Sequence, residues 1–326
     1  MTDADTLGHS DMAMETQPAS GFDNRISLQK LEVFCLVVEL GGIGRAADHL
    51  GVSQPVVTAH MRTLQERVGT KLIYRDGQRL HLTETGEAVH EWAKDVLTRG
   101  REVSRQVQGL ADGATGTAVV IASMSVGSYM LPEAVSAFAR ERPRASITLL
   151  VSDSEDAKAA LEHGGADFAV LTGDSEMSSA TLVAEPVCDH ELILVAAPGD
   201  TEVGDVVAIE DLSRLRYVCS PGTRPRRRLV DAALETIGVR DRRIAIQLGH
   251  PEALKRATAS GIGVCLVLRS SVVSELEHGT LREVAIEGAR LTVPIVIVQR
   301  ADKRFSPLQD VLRATIRETL VERYAA

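Results

Sequence analysis

Cysteine is scarce in this chain and nothing about its spacing suggests a bridge or a metal knuckle: Cys35, Cys188, Cys219 and Cys265 are far apart and form no CxxC. That excludes a disulfide scaffold and a zinc ribbon, and leaves reduced, mostly buried thiols, with a redox pair of Cys188 and Cys219 as a narrower alternative. No apolar run approaches the roughly 20 residues that span a bilayer, and no basic segment followed by an apolar one opens the chain. The expected location is therefore the cytoplasm, with no membrane partner. Catalytic signatures are missing as well. There is no GxSxG elbow, P-loop or HExxH, and Gly261 and Gly263 lack the third glycine and the preceding strand of a dinucleotide loop. The histidines show no ligand spacing, so no enzyme activity, metal or cofactor is expected. Bulk basicity is absent too: the net charge is -9, and residues 1–24 carry Asp3, Asp5, Asp11, Glu15 and Asp23 without a lysine or arginine. Residues 1–26 read as a disordered acidic leader, and any nucleic-acid contact must rest on where the basic residues are placed.

Residues 43–64, IGRAADHLGVSQPVVTAHMRTL, carry such a placement. Ala46 and Ala47 allow close helix approach, Gly51 sits where a helix ends in a left-handed residue, and Ser53 with Pro55 marks the start of the next. In that second helix Val57, Met61, Leu64 and Val68 share one apolar face. Gln54, Thr58 and Arg62 share another at four-residue spacing. Gln pairs with adenine, Thr meets a thymine methyl or a hydrogen-bonding edge, and Arg reaches guanine or phosphate, so the polar face suits the major groove. An ordinary helical hairpin with a solvated face has the same spacing. Before this pair, Ser27 is placed to cap a helix whose stripe is Leu28, Leu31, Phe34 and Val38. After it, residues 72–75 and 80–82 flank Asp76, Gly77 and Gln78 as a hairpin, a wing whose Arg75, Gln78, Arg79 and His81 can meet DNA together with Arg45 and Lys71.

Over residues 31–86 the pattern of Leu31, Phe34, Ala46, Ala47, Leu50, Ser53, Gln54, Pro55, Leu64, Gly69, Leu72, Arg75, Leu82, Thr83 and Gly86 resembles the N-terminal domain of LysR-type transcriptional regulators. Ile43, Gly44, Thr58, Gln65 and Ile73 depart from the family's usual residues, and Gly44 leaves the first helix of the pair without a side-chain cap. The resemblance implies a winged helix-turn-helix over 27–84, with DNA contacts from Arg45, Ser53, Gln54, Pro55, Thr58, Arg62, Arg75, Gln78 and Arg79.

Thr83 opens a long helix in which Val89, Ala93, Val96, Gly100, Val103, Val107 and Leu110 recur at steps of four and three, a heptad seam flanked by Trp92, the only tryptophan. One helix packed on its own domain shows similar spacing. The composition of 111–116 reads as a hinge, giving a linker of 85–116. The resemblance implies a dimerisation helix, with Val89, Trp92, Val96 and Val103 at the contact, an interrupted inverted repeat as the DNA target, and a homodimer or homotetramer.

From residue 117 on, short apolar runs at 118–122, 146–151, 168–171, 192–197, 217–220, 244–248, 264–268 and 293–298 alternate with helical stretches at 131–140, 155–162, 227–237 and 252–259. This is α/β architecture. It resembles the LysR effector domain, two-lobed like periplasmic binding proteins, with lobe one at 117–190 and 292–326 and lobe two at 191–291. A periplasmic receptor would share those lobes, yet has no use for a winged DNA domain. Effector contacts are expected from Ser123, Met124, Ser125, Thr172, Ser220, Thr223 and His250, which follow strands and precede helices. Any one of these hydroxyls could instead be a turn former. Arg224, Arg226, Arg227 and Arg228 are either a solvated run or the receptor for an anionic, carboxylate or phosphate, effector.

Overall fold

The computed structural model describes residues 26–325 apart from 78, 110–114 and 174–176, so the acidic leader, Gln78 and most of the hinge lie outside the described residues. The chain divides into two compact units, Met1–Leu97 and Thr98–Ala326.

The first unit holds α1 (Leu28–Glu39), α2 (Ile43–Leu50), α3 (Gln54–Val68), β1 (Ile73–Asp76), β2 (Arg79–Leu82) and the start of α4 (Glu84–Gly109). Leu31, Phe34, Ala46, Val57, Met61 and Leu64 meet in one core, where each large side chain contributes about 1.5–3 kcal/mol of burial. Leu28 differs from expectation: it lies outside that core and is exposed. Gly51 ends α2 at φ +65, so α3 can start three residues later, at Gln54. Ser53 occupies the capping position of α3 without its side chain closing a cap, and Ser27 likewise accepts from Lys30 Nζ instead of capping α1. Thr83 does open α4, since its Oγ1 accepts from the Gly86 amide. Gly86 must be glycine, because a Cβ there would lie 1.9 Å from the Leu72 carbonyl oxygen.

Val89, Ala93 and Leu97 of α4 are spent inside this same core, and Val96 packs partly against it. Part of the expected seam is thereby buried within its own unit. Val89 is not available to a second copy, whereas Trp92 and Val103 remain 37% and 56% exposed.

The second unit is built on β3 (Gly116–Ser123), β4 (Ala145–Ser152), β5 (Phe168–Thr172), β6 (Leu182–Ala196), β7 (Val206–Val207), β8 (Arg216–Cys219), β9 (Arg243–Gln247), β10 (Cys265–Leu268), β11 (Arg282–Ile286) and β12 (Leu291–Arg300). Its helices are α5 (Met124–Tyr129), α6 (Leu131–Glu141), α7 (Ser154–Glu162), α8 (Pro225–Glu235), α9 (Pro251–Ala259), α10 (Val273–Glu277) and α11 (Pro307–Tyr324). An eight-stranded sheet runs β4-β3-β5-β12-β6-β11-β7, with β10 also paired to β6, while β8 and β9 form a separate parallel pair. Alternation along the strands feeds a core on each face. In the first lobe Val120 and Ala122 face α11 while Ile121 faces α7, and in the second Leu192 and Leu194 pack beside α8 while Ile193 and Val195 pack near Leu254 of α9.

β6 and β12 pair antiparallel over most of their length, and β6 then continues into partners β10 and β11, so both strands run from one lobe to the other. Residues 188–191, the expected crossing, lie within β6, and the return strand begins at Leu291. Absent from the expected elements are the first half of β6, β11 and α11, together with the short α5, β7 and α10. The signal for α11 is present in the sequence: Ser306 and Gln309 form a capping box ahead of Pro307.

His190 marks the crossing. Its Nδ1 donates to the Tyr324 carbonyl at the end of α11, and its Nε2 accepts from the amide and hydroxyl of Ser270 in lobe two. Burial pulls the imidazole below its ordinary value of about 6.5, although the Tyr324 carbonyl and Glu191 oppose this and Arg269 adds to it. As pH falls through about 6.5 the unfolded chain takes up a proton that the folded one refuses until a lower pH, so stability present above about 6.5 is lost on acidification. We expect the melting temperature to fall between pH 7.5 and 5.5, and His190→Gln to fall less. Equal slopes for the two proteins would remove His190 as a source of the dependence.

Candidate DNA-reading face and effector cleft

On α3, Gln54, Pro55, Thr58, Ala59 and Arg62 line one shallow concavity on the exposed side, opposite Val57, Met61 and Leu64. Gln54 lies over Gly44, where a Cβ would come 2.9 Å from its Nε2. The missing side chain at Gly44 therefore makes room for the Gln54 amide. Arg62 is tied only loosely, to Glu66 at 3.6 Å with both groups exposed, so it can be redirected to a nucleic acid at little cost. Arg45 donates to the Gly41 carbonyl at 2.8 Å. Val52 and Val56 are exposed beside Gln54, apolar groups suited to thymine methyls that the polar spacing did not single out.

The wing forms as expected, with Ile73 opposite Leu82 and Asp76 opposite Arg79, and Gly77 turns it at φ +59. Arg75 and Arg79 are exposed, and Tyr74 stacks on His81 with ring centroids 5.5 Å apart. Tyr74 was not among the expected contacts.

In the second unit a cavity of about 300 Å³ lies between the lobes. Ser123, Met124, Ser125 and Thr172 reach it from lobe one and Ser220 from lobe two. Thr223 and His250 do not line it. Thr223 is exposed in the turn before α8, and the His250 Nδ1 is occupied in accepting from the Glu252 amide as the cap of α9. The cavity's own hydrogen bonds hold the corner together: the Thr172 amide donates to Ser123 Oγ at 3.3 Å. Leu192, Leu229, Val230, Leu268 and Val293 supply its apolar wall.

Of the arginine run, Arg224 pairs with Asp153 at 3.6 Å, Arg227 with Asp231 at 2.9 Å and Arg228 with Glu155 at 3.5 Å. Arg226 faces the cavity instead, its Nη1 donating across the lobes to Ser125 Oγ at 2.9 Å and its Nη2 to the Leu266 carbonyl at 3.5 Å. Burial pulls its guanidinium below the usual arginine range. Sequence reasoning named Arg226 only as one of a charged run, because nothing local separates it from its neighbours. A further bridge joins the lobes where Tyr129 donates to Glu252, while the buried Lys255 ammonium holds Glu252 and Glu275, each at 2.7 Å. Burial and the Glu252 carboxylate push the Tyr129 phenol up to about 12, so it remains a donor.

The cysteines are free thiols. Cys188 packs against the lobe-one core and is pushed up to about 11 by burial, with Asp189 adding to the rise, whereas Cys219 sits in lobe two beside Arg227. A thiol so raised carries little nucleophilic thiolate at neutral pH.

Comparison with known proteins agrees with both halves. Residues 28–87 match the bacterial regulatory helix-turn-helix protein domain of the lysR family, and residues 111–321 match the LysR substrate binding domain. A probable RuBisCO transcriptional regulator of Nostoc is 29% identical over 82% of this chain and 80% of its own length. YeiE of Escherichia coli K12, an uncharacterized HTH-type transcriptional regulator, is 28% identical over 86% of this chain and 94% of its own length. Among solved structures, full-length CbnR complexed with its target DNA superposes with a TM-score of 0.65 at 21% identity, covering 90% of this chain and 100% of that one. A full-length OxyR variant of Pseudomonas aeruginosa gives 0.68 at 18% identity, covering 92% and 96%. At these identities the two structures bear on fold.

Proposed function

Because the chain belongs to the LysR family of transcriptional regulators, we propose that it binds an interrupted inverted repeat as a homodimer, or as a tetramer of two such dimers, and that a small molecule held between the lobes of its effector domain changes that binding. The observation that carries the effector part is the convergence of Ser123, Met124, Ser125, Thr172 and Ser220 from both lobes on one cavity with an apolar wall. A ligand touching both lobes stabilises one arrangement of them, and acts on DNA affinity only through its unequal affinity for the two arrangements, typically about 1–3 kcal/mol. Gln54, Thr58 and Arg62 read bases in this account, while Arg75 and Arg79 of the wing hold phosphates. No catalytic role is assigned, and the site of action is the cytoplasm, where the DNA is. A thiol-based response through Cys188 and Cys219 has less support, given how far burial disfavours the Cys188 thiolate.

The test begins with compounds that raise the melting temperature of the purified protein, followed by gel shift on the DNA upstream of its gene with and without them. Ser125→Phe fills the cavity and should abolish the compound-dependent change in DNA affinity, while Thr223→Trp, off the cavity, should keep it. A full response from Ser125→Phe would put the ligand elsewhere.

A further inference from the structure

Arg226 is the one cation at the cavity that no carboxylate among the described residues neutralises. Arg224, Arg227 and Arg228 are each committed to an acid, and Arg226 makes do with a serine hydroxyl and a backbone carbonyl. A charge taken out of water without a counter-ion is costly, and neutral acceptors offset only part of that cost. The other charges at the cavity do not change the balance. Arg224 and Asp153 cancel, and Asp156 lies at the exposed rim, where it accepts from Ser152 Oγ. The rest of the wall is apolar, Leu192, Leu229, Leu268 and Val293 with Met124, or carries the neutral hydroxyls of Ser123, Ser152, Ser154, Thr172 and Ser220, and supplies no second cation.

Resting on the reading of the cleft as the effector site, we infer that its ligand is a compact apolar monocarboxylate, whose carboxylate takes Arg226 from Ser125 and whose hydrocarbon body lies on the Leu192, Leu268 and Val293 wall. A guanidinium matches a carboxylate in a bidentate fork, which a single serine oxygen cannot do. A dianion would need a second cation and would meet Asp156 instead. A sugar phosphate, with close to two negative charges on its phosphoryl group, would likewise ask for a second cation. The cavity, about 300 Å³, stands at the small end of ligand sites. Taking Arg226 also breaks the direct link between the lobes at Ser125, so binding and lobe arrangement are coupled through one side chain.

Titration calorimetry on the full chain tests this with hexanoate and cyclohexanecarboxylate against hexanamide, adipate and glucose 6-phosphate. The two monocarboxylates should bind at least about tenfold tighter than the others, and Arg226→Met should lose that margin for hexanoate while leaving hexanamide unchanged. Arg226→Lys should fall between. Without ligand, Arg226→Met should melt no lower than the parent protein, because a half-buried charge that no carboxylate balances is gone. A lower melting temperature would make Arg226 a structural residue and overturn the inference. So would failure of both monocarboxylates to bind, or tighter binding of adipate or glucose 6-phosphate that Ser125→Phe blocks, though this last result would leave the cleft standing. Hexanoate binding that neither Arg226→Met nor Ser125→Phe disturbs would overturn the cleft reading itself.

Discussion

Val103→Asp should dissociate the proposed dimer and take operator affinity with it. Val103 is 56% exposed on α4 and belongs to none of the apolar clusters among the described residues, whereas Val89 and Ala93 are consumed by the core beneath the helix and Val96 is partly so. A substitution at Val96 would therefore confound dimerisation with the stability of the DNA-binding unit. Val103 does not carry that ambiguity. Pairing two copies through Trp92 and Val103 would remove both from water, and an aspartate from each chain would then oppose its like in a desolvated seam, costing several kcal/mol. Sedimentation should show the mass halved at micromolar concentration, with operator binding weaker by about two orders of magnitude or more, since two recognition helices held together bind far more tightly than either alone. Trp92→Ala should move in the same direction by less. An intact dimer in the Val103→Asp protein would transfer assembly to the effector domains.

Gln54→Ala should cost about 1–3 kcal/mol on the specific site and almost nothing on random DNA. The amide lies at the first residue of α3, exposed and given room by Gly44, with Val52 and Val56 bare beside it. A side chain so placed can present its oxygen and nitrogen together to an adenine edge, and Ala can present neither. Arg79→Ala, on the wing, should behave differently, weakening all sequences alike and flattening the salt dependence by about one unit of slope. Equal losses on specific and random DNA for Gln54→Ala would turn it from a base contact into a scaffold residue, and an unchanged salt slope would take Arg79 off the phosphates.

What the sequence determined alone lies where the controlling physics is local. Gly51, Pro55 and the apolar spacing of Val57, Met61 and Leu64 specify α2, the turn and α3 because helix ends and helix faces depend on residues within a turn or two of each other. The turn of the wing at Gly77 is local in the same way. Strands such as β3, β5, β10 and β12 were legible because burial leaves them near-continuous apolar runs, and β4 and β9, although largely exposed, carry apolar runs too; β11 and the half-exposed start of β6 were not legible. Tertiary structure decided the rest. Repeats of four and three along α4 fit a partner's helix and the domain's own core equally well, and only the packing of α1 and α3 assigns Val89 to the core, while Val103 further along stays exposed. The four arginines of 224–228 look alike in sequence, since what separates them is the position of Asp153, Glu155 and Ser125, brought near from another lobe by the crossover strands β6 and β12. Likewise Ser220 and Thr223 both follow a strand, but only Ser220 reaches the cavity, because the wall opposite it is built from residues nearly a hundred positions away.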